Sequence, residues 1–102
     1  QLGYQGFPCA VCTSRNQVVC HGIPSLRERL RAGDIVNVDV TTELGGFHGD
    51  TSATFVIGEA SPEARHVVEV ARRCRDAGLK VKKSSRGHCV SLPPALGGAW
   101  VF

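Results

Sequence analysis

The fold is decided by the stretch Asp34-Ile-Val-Asn-Val-Asp-Val-Thr-Thr-Glu-Leu-Gly-Gly-Phe-His-Gly-Asp-Thr-Ser52. Side chains alternate between the two faces of a β-strand, so the first half places its valines on one face and its polar residues on the other. The Gly45-Gly46 pair predicts a two-residue hairpin turn, because both positions of such a turn favour positive φ. A hairpin closed there has the following pairs: Leu44 with Phe47, Thr41 with Asp50, and Asp39 with Ser52.

This register brings two carboxylates together. Asp39 and Asp50 lie on the same face in it, one diagonal step apart, with their Cβ atoms about 5.5–8 Å from each other. Two carboxylates at that separation repel each other unless a cation lies between them or one is protonated. The hairpin therefore predicts a metal site or, as the alternative, two solvated aspartates on the wet face of an amphipathic hairpin.

Turn and capping residues predict the regular structure around the hairpin. Residues 10–14 and 18–21 are predicted as short strands on either side of a turn. Ser61 is a good N-cap for a helix that has Pro62 in its first position. That helix carries one apolar stripe: Ala64, Val67, Val68, Ala71 and Cys74. Gly78 is predicted to end the helix, and the stripe is expected to pack against the valine face of the hairpin.

Three segments before the hairpin carry a resemblance to a known family: Gly3-Tyr-Gln-Gly-Phe-Pro8, Val11-Cys-Thr-Ser-Arg-Asn16 and Val18-Val-Cys-His-Gly-Ile-Pro24. Together with the two-aspartate hairpin, they resemble a type I methionine aminopeptidase of the metal-dependent pita-bread family. Related prolidase-like enzymes share the hairpin but not the Gly-Phe-Pro and Cys-His-Gly-Ile-Pro segments. The resemblance implies an α+β fold that is part of a pita-bread fold, with antiparallel β-hairpins and a packed helix in an incomplete domain.

The resemblance also divides the chain into two parts. Residues 1–78 correspond to the N-terminal half of a methionine aminopeptidase catalytic domain. Residues 79–102 do not match the family, and they combine a basic run with Pro93-Pro94 and Gly97-Gly98. This composition, without a periodic apolar face, predicts a disordered tail.

Site residues follow from the resemblance position by position. Asp39 and Asp50 match the first two metal ligands of the family, and His21 matches a catalytic histidine that contacts the substrate near the scissile bond. The substrate-binding positions are Tyr4, Phe7, Cys12 and His21. Gln1 stands where many members have a cysteine in the pocket for the methionine side chain, so this wall departs from the family pattern.

The implied function is removal of the initiator methionine from nascent proteins by metal-activated water. The complete enzyme uses two divalent metal ions, which are cobalt, manganese, iron or zinc. Its partners are N-terminal methionyl peptides or nascent chains, and the ribosome is a further expected partner. The family's remaining ligands, one histidine and two glutamates, come from a second half that does not align here, so this chain is expected to be truncated and inactive alone. The alternative is a non-catalytic fragment or a partner-binding product of the same family.

Composition agrees with the N-terminal half of such an enzyme in the cytoplasm. The five cysteines are an odd number, which favours reduced thiols. A thiolate metal site at Cys9-x-x-Cys12 with Cys20-His21 is an alternative, although a structural zinc site needs four matching ligands. The formal net charge is +3, and a solvated helix face and tail account for the basic run between residues 72 and 86, so neither a nucleic acid nor a membrane is an expected partner. No apolar run reaches the roughly 20 residues that span a bilayer.

Overall fold

A long antiparallel hairpin organises the structure. The computed structural model describes residues 1–81, 90–91 and 99–101, with side chains described for residues 1–78. In chain order, its elements are a 3₁₀ turn (Tyr4–Gly6), β1 (Cys12–Arg15), β2 (Ile35–Leu44), β3 (Phe47–Val56), α1 (Pro62–Val81), β4 (Val90–Ser91) and β5 (Ala99–Val101). The strands form one antiparallel sheet in the order β1-β2-β3-β5-β4. The α+β class is therefore confirmed.

The register of the hairpin is the predicted one. β2 pairs with β3 from Ile35 opposite Val56 to Leu44 opposite Phe47, and the three predicted pairs lie within this ladder. The turn residues Gly45 and Gly46 both have positive φ, 60° and 85°. The carboxylate of Glu43 closes the turn by accepting a 2.6 Å hydrogen bond from the Gly46 amide.

β1 pairs with the first half of β2, and the small core lies at this junction. Cys12 lies opposite Asp39 and Ser14 lies opposite Asn37. Directly paired residues point to the same face, so Cys12 and Ser14 lie on the carboxylate face. Among the described side chains, Cys12, Ser14 and Val36 are the buried ones, at 2%, 5% and 5% exposure.

The predicted strand at residues 18–21 is wrong. After β1, Asn16 has a φ of 50°, and the Val18 amide donates to the Arg15 carbonyl in a tight turn. His21 has a φ of 52°, which is outside the β region, so a strand ladder cannot run through it. The segment touches β1 at Gly22, whose carbonyl accepts a 2.8 Å hydrogen bond from the Thr13 amide.

The helix begins as predicted but ends later. Ser61 Oγ accepts a hydrogen bond from the Ala64 amide at 3.2 Å, which confirms the N-cap. Gly78 was predicted to end α1, but the helix continues to Val81. Glycine ends a helix when it takes a left-handed conformation, and Gly78 is not among the described residues with positive φ.

The predicted packing of the helix stripe is also wrong. Ala64 and Val68 are only partly covered, whereas Val67 is 59% exposed, and Ala71 and Cys74 are exposed. An amphipathic pattern reports that one helix face is apolar but does not specify the surface that covers it. None of the described helices is both long and apolar enough to cross a membrane.

The predicted tail, residues 79–102, falls largely outside the described residues. Within it, the structure describes the last turn of α1 and the two short strands β4 and β5. β5 pairs with β3 beside the carboxylates, with Trp100 opposite Asp50. The domain boundary after residue 78 stays a prediction.

Candidate active site

A cleft of about 500 Å³ opens on the carboxylate face of the sheet. Its walls come from the 3₁₀ turn, β1, the segment around His21, and the hairpin. All six residues predicted for the site line this one cleft: Tyr4, Phe7, Cys12, His21, Asp39 and Asp50. The structure therefore brings together residues that are far apart in the sequence, while their individual roles stay predictions.

The two carboxylates face each other across the hairpin. Burial raises the pKa of Asp39 above its ordinary value, and the nearby negative charge of Asp50 raises this pKa further. Asp50 is held in place by Thr41, whose hydroxyl donates a 3.0 Å hydrogen bond to Oδ1 of Asp50. A cation between the carboxylates would relieve their repulsion, so the charge and oxygen chemistry of the pair fit divalent metal binding.

This donor set is partial. Among the described side chains, no group of three or more histidine, cysteine, aspartate or glutamate residues is placed to hold a metal ion. Asp39 and Asp50 thus supply two carboxylate ligands, and a closed coordination shell needs further donors.

His21 lines the same cleft as the two carboxylates. A positive charge on its ring would lower the pKa of Asp39, which partly opposes the effects of burial and of Asp50. Its φ of 52° is uncommon for a residue with a side chain. Residues held in sparsely populated backbone regions cluster at functional sites, and the conformation of His21 is consistent with a role in this cleft.

The apolar part of the cleft surrounds Cys12. Burial raises the pKa of the Cys12 thiol, and the charge of Asp39 adds to this effect, so the thiol stays neutral and forms an apolar wall. Phe7 is partly buried, and Tyr4 is exposed at the mouth of the cleft. The 3₁₀ turn that carries Tyr4 begins after Gly3, which is in the left-handed region with a φ of 79°.

Gln1 adds a polar group to this wall. Its carbonyl Oε1 accepts a hydrogen bond from Sγ of Cys12 at 3.3 Å, and its Nε2 donates to Oγ1 of Thr41 at 3.4 Å. Sequence reasoning assigned no site role to Thr41 or to Ile23, although both line the cleft. The alternation of side chains along β2 indicated that Thr41 lies in the cleft, because this residue shares a face with Asp39 and lies opposite Asp50.

The chain is similar to known proteins over most of its length. Residues 1–90 match metallopeptidase family M24. The chain is 53% identical over 89 residues to the protein named methionine aminopeptidase 1D, mitochondrial, of Danio rerio, covering 87% of this chain and 26% of that protein. It is 56% identical over 78 residues to the Homo sapiens protein of the same name, covering 76% of this chain and 23% of the human protein.

A solved structure is similar as well. The crystal structure of methionine aminopeptidase from Rickettsia prowazekii matches with a TM-score of 0.67 and 46% identity, covering 71% of this chain and 29% of that chain. The present chain thus spans about a quarter of the length of these relatives. The match to the family covers most of the chain and includes both carboxylates, the histidine and the apolar wall. The chain belongs to metallopeptidase family M24.

Proposed function

We propose that the chain carries the N-terminal half of the active site of a methionine aminopeptidase, which removes the initiator methionine from nascent proteins. The observation that carries this proposal is the facing pair Asp39 and Asp50 in a cleft shared with His21 and an apolar wall. Proteins named methionine aminopeptidases, about half identical to the chain, support the same assignment.

Asp39 and Asp50 would hold the divalent metal ions, two in the complete enzyme, from cobalt, manganese, iron or zinc. Carboxylate oxygens suit such ions, and availability rather than raw affinity decides which one binds in a cell. When bound, ions of this kind supply an activated water near neutral pH and polarise the scissile carbonyl. The hydrogen bond from Thr41 restrains the side chain of Asp50, and hydrogen bonds of this kind orient metal-binding carboxylates.

The other residues bind and orient the substrate. We expect His21, which lines the same cleft, to donate a hydrogen bond to the oxygen that becomes negative during hydrolysis, or to the next amide. Phe7, Tyr4 and the neutral thiol of Cys12 offer a surface that suits the unbranched, apolar methionine side chain. N-terminal methionyl peptides are therefore the proposed substrates, and nascent chains at the ribosome are their proposed source.

We place this reaction in the cytoplasm. The four described cysteines, Cys9, Cys12, Cys20 and Cys74, are free, as expected in a reducing compartment. Relatives named mitochondrial and chloroplastic make the organelle matrix the alternative location. Localisation of the tagged gene product in cells of its source distinguishes these compartments.

A non-catalytic fragment of the same family is the second candidate. The observation in its favour is the partial donor set, because the described side chains give two carboxylates and no larger ligand cluster. Two carboxylates leave most coordination positions of each ion to water, so the affinity should be low and the ions poorly positioned.

Methionine release from a Met-Ala-Ser peptide with Mn²⁺ or Co²⁺ tests the proposal. The 102-residue chain alone is expected to release little or no methionine. A chimera, in which residues 2–78 replace the corresponding stretch of the Rickettsia prowazekii enzyme, is expected to release it. In the chimera, Asp39→Ala or Asp50→Ala should abolish activity, and His21→Ala should lower kcat by roughly 10²–10³-fold, as for loss of one transition-state hydrogen bond.

The matched control is Glu59→Ala, which removes a carboxylate outside the cleft and should leave activity unchanged. If Asp39→Ala leaves the turnover of the chimera unchanged, the assignment of Asp39 as a metal ligand is contradicted. Metal-dependent turnover by the 102-residue chain alone would contradict the need for a second half.

A further inference from the structure

The segment that carries His21 is hydrogen-bonded to β1 through Gly22. The Thr13 amide donates a 2.8 Å hydrogen bond to the Gly22 carbonyl, and the Gly22 amide donates a 3.2 Å hydrogen bond to Oγ of Ser14. Both backbone polar groups of Gly22 are thus bound to consecutive residues of β1. His21, the residue before it, reaches the cleft from this attachment point.

Ser14 is a polar side chain in the small core. It is 5% exposed and lies on the carboxylate face of β1. A buried hydroxyl is costly unless it forms hydrogen bonds, and the Gly22 amide gives this hydroxyl a partner. An apolar residue of similar size would fill the same space but could not bind the amide, so packing alone does not account for a serine here.

Gly22 is pressed against the backbone of β1. A Cβ atom at this position would lie 2.1 Å from the carbonyl oxygen of Thr13 and 2.9 Å from its carbonyl carbon. Such a close approach fixes the distance between the two segments. The φ of 52° at His21 lies in a sparsely populated region that persists where the surroundings restrain it, and the two hydrogen bonds of Gly22 restrain the adjoining residue.

We infer that Ser14 is a positioning residue, which holds the His21 side chain in the cleft through the amide of Gly22. Ser14 is not among the residues that line the cleft. Its hydroxyl fixes the adjacent peptide, and that peptide sets the direction in which the imidazole points. The catalytic consequence rests on the proposed function, whereas the structural part can be tested without any activity.

The structural test uses the 102-residue chain and measures amide hydrogen exchange at Gly22 relative to Thr13. Ser14→Ala should speed exchange at Gly22 about tenfold, which corresponds to the loss of one hydrogen bond. Ser14→Thr keeps the hydroxyl and should restore protection. If Ser14→Ala does not fold, Ser14→Cys keeps the volume with a weak acceptor and should give the same loss. Unchanged exchange at Gly22 in the folded variants overturns the inference.

The kinetic test uses the chimera and a double-mutant cycle. Ser14→Ala should lower kcat by roughly 10–10²-fold with little change in KM, because misplacement of a catalytic group acts mainly on the transition state. In the His21→Ala background, the same substitution should change kcat less than about twofold. Val36→Ala, which removes buried volume on the opposite face, should lower stability and leave kcat unchanged.

The outcomes of these two tests separate the positioning role of Ser14 from the proposed function. Equal losses of kcat from Ser14→Ala in both backgrounds, or an equal loss from Val36→Ala, overturn the positioning role. A chimera without any activity contradicts the proposed function, and the exchange measurement at Gly22 then decides the structural part of the inference, the hold of Ser14 on the Gly22 amide.

Discussion

Asn16 donates a 2.8 Å hydrogen bond from Nδ2 to Oδ1 of Asp34, which joins the turn after β1 to the start of β2. The same asparagine accepts a 3.1 Å hydrogen bond from the Ile35 amide through Oδ1. The second carboxylate oxygen of Asp34 accepts a 2.9 Å hydrogen bond from the Arg31 amide. The Asn16 side chain lowers the pKa of Asp34 most, followed by the Arg31 amide.

We expect Asp34→Asn to destabilise the chain in a pH-dependent way. The folded-state pKa of Asp34 is below its unfolded value, so the charged carboxylate stabilises the fold above the unfolded pKa of about 3.9. This contribution is lost as the pH falls through the folded pKa. Urea unfolding at pH 7 should show a lower midpoint for the variant, and the difference should disappear in acid.

The control for this prediction is Glu59→Gln. Glu59 forms a 2.6 Å ion pair with Arg65, but its side chain is 96% exposed. Exposed pairs contribute only about 0–1 kcal/mol, so the midpoint should hardly change at pH 7. A larger decrease in the urea midpoint for Glu59→Gln than for Asp34→Asn would contradict the importance of the Asn16–Asp34 hydrogen bond for stability.

Gly22→Ala should destabilise the chain by more than about 2 kcal/mol, because the new Cβ would overlap backbone atoms of Thr13 rather than a movable side chain. Denaturant unfolding measures this change. Gly78→Ala is the matched control, since a Cβ at this position meets nothing within 4 Å and the helix continues past it. That substitution should stabilise the helix by about 0.5–1 kcal/mol. Destabilisation by Gly78→Ala would show that the helix ends there after all.

Asp50→Asn should raise the stability of the metal-free chain and remove its response to metal. The substitution removes a charge that faces Asp39, worth on the order of 1 kcal/mol near water, while Oδ1 still accepts the hydrogen bond from Thr41. Thermal unfolding with and without millimolar Mn²⁺ measures both effects. Ligand binding to the folded state raises Tm, so only the unchanged chain should gain from Mn²⁺. An equal gain in both proteins would place the ion elsewhere.

Cys12 should react with iodoacetamide at least about tenfold more slowly than Cys20. Burial and the charge of Asp39 raise the pKa of the Cys12 thiol, and the thiolate is the reactive form, whereas Cys20 is exposed. Mass spectrometry of peptides from the native chain at pH 7.5 gives both rates. Denaturation in urea should make the rates equal. Rapid labelling of Cys12 in the native chain would mean that the cleft wall opens.

The hairpin could be predicted from sequence because its determinants are local. Two glycines fix the turn, and the alternation of side chains then sets which residues share a face, so the proximity of Asp39 and Asp50 followed without tertiary information. The resemblance supplied four further cleft residues, and the structure gathers them around the same space: Tyr4, Phe7, Cys12 and His21. These predictions needed no knowledge of how distant segments meet.

The predictions that failed required tertiary information. Valines at 18 and 19 are typical of a strand, but the left-handed backbone of His21 and the close approach of Gly22 to β1 depend on a contact between segments. The stripe of α1 is apolar, yet its periodicity does not identify a covering surface. The hydrogen bond that Gln1 donates and the one that Ser14 accepts likewise depend on neighbours that adjacent sequence does not reveal.

The two-residue turn of the hairpin has a consequence for biosynthesis. At about 5–20 residues per second, translation of the stretch between Asp39 and Asp50 takes on the order of a second, whereas a hairpin closes in roughly 1–10 µs. An isolated hairpin is only marginally stable, so it opens and reforms many times while the ribosome adds later segments. The carboxylate pair is therefore sampled repeatedly while later segments are still being made, and those segments meet a hairpin whose register is set by its own residues.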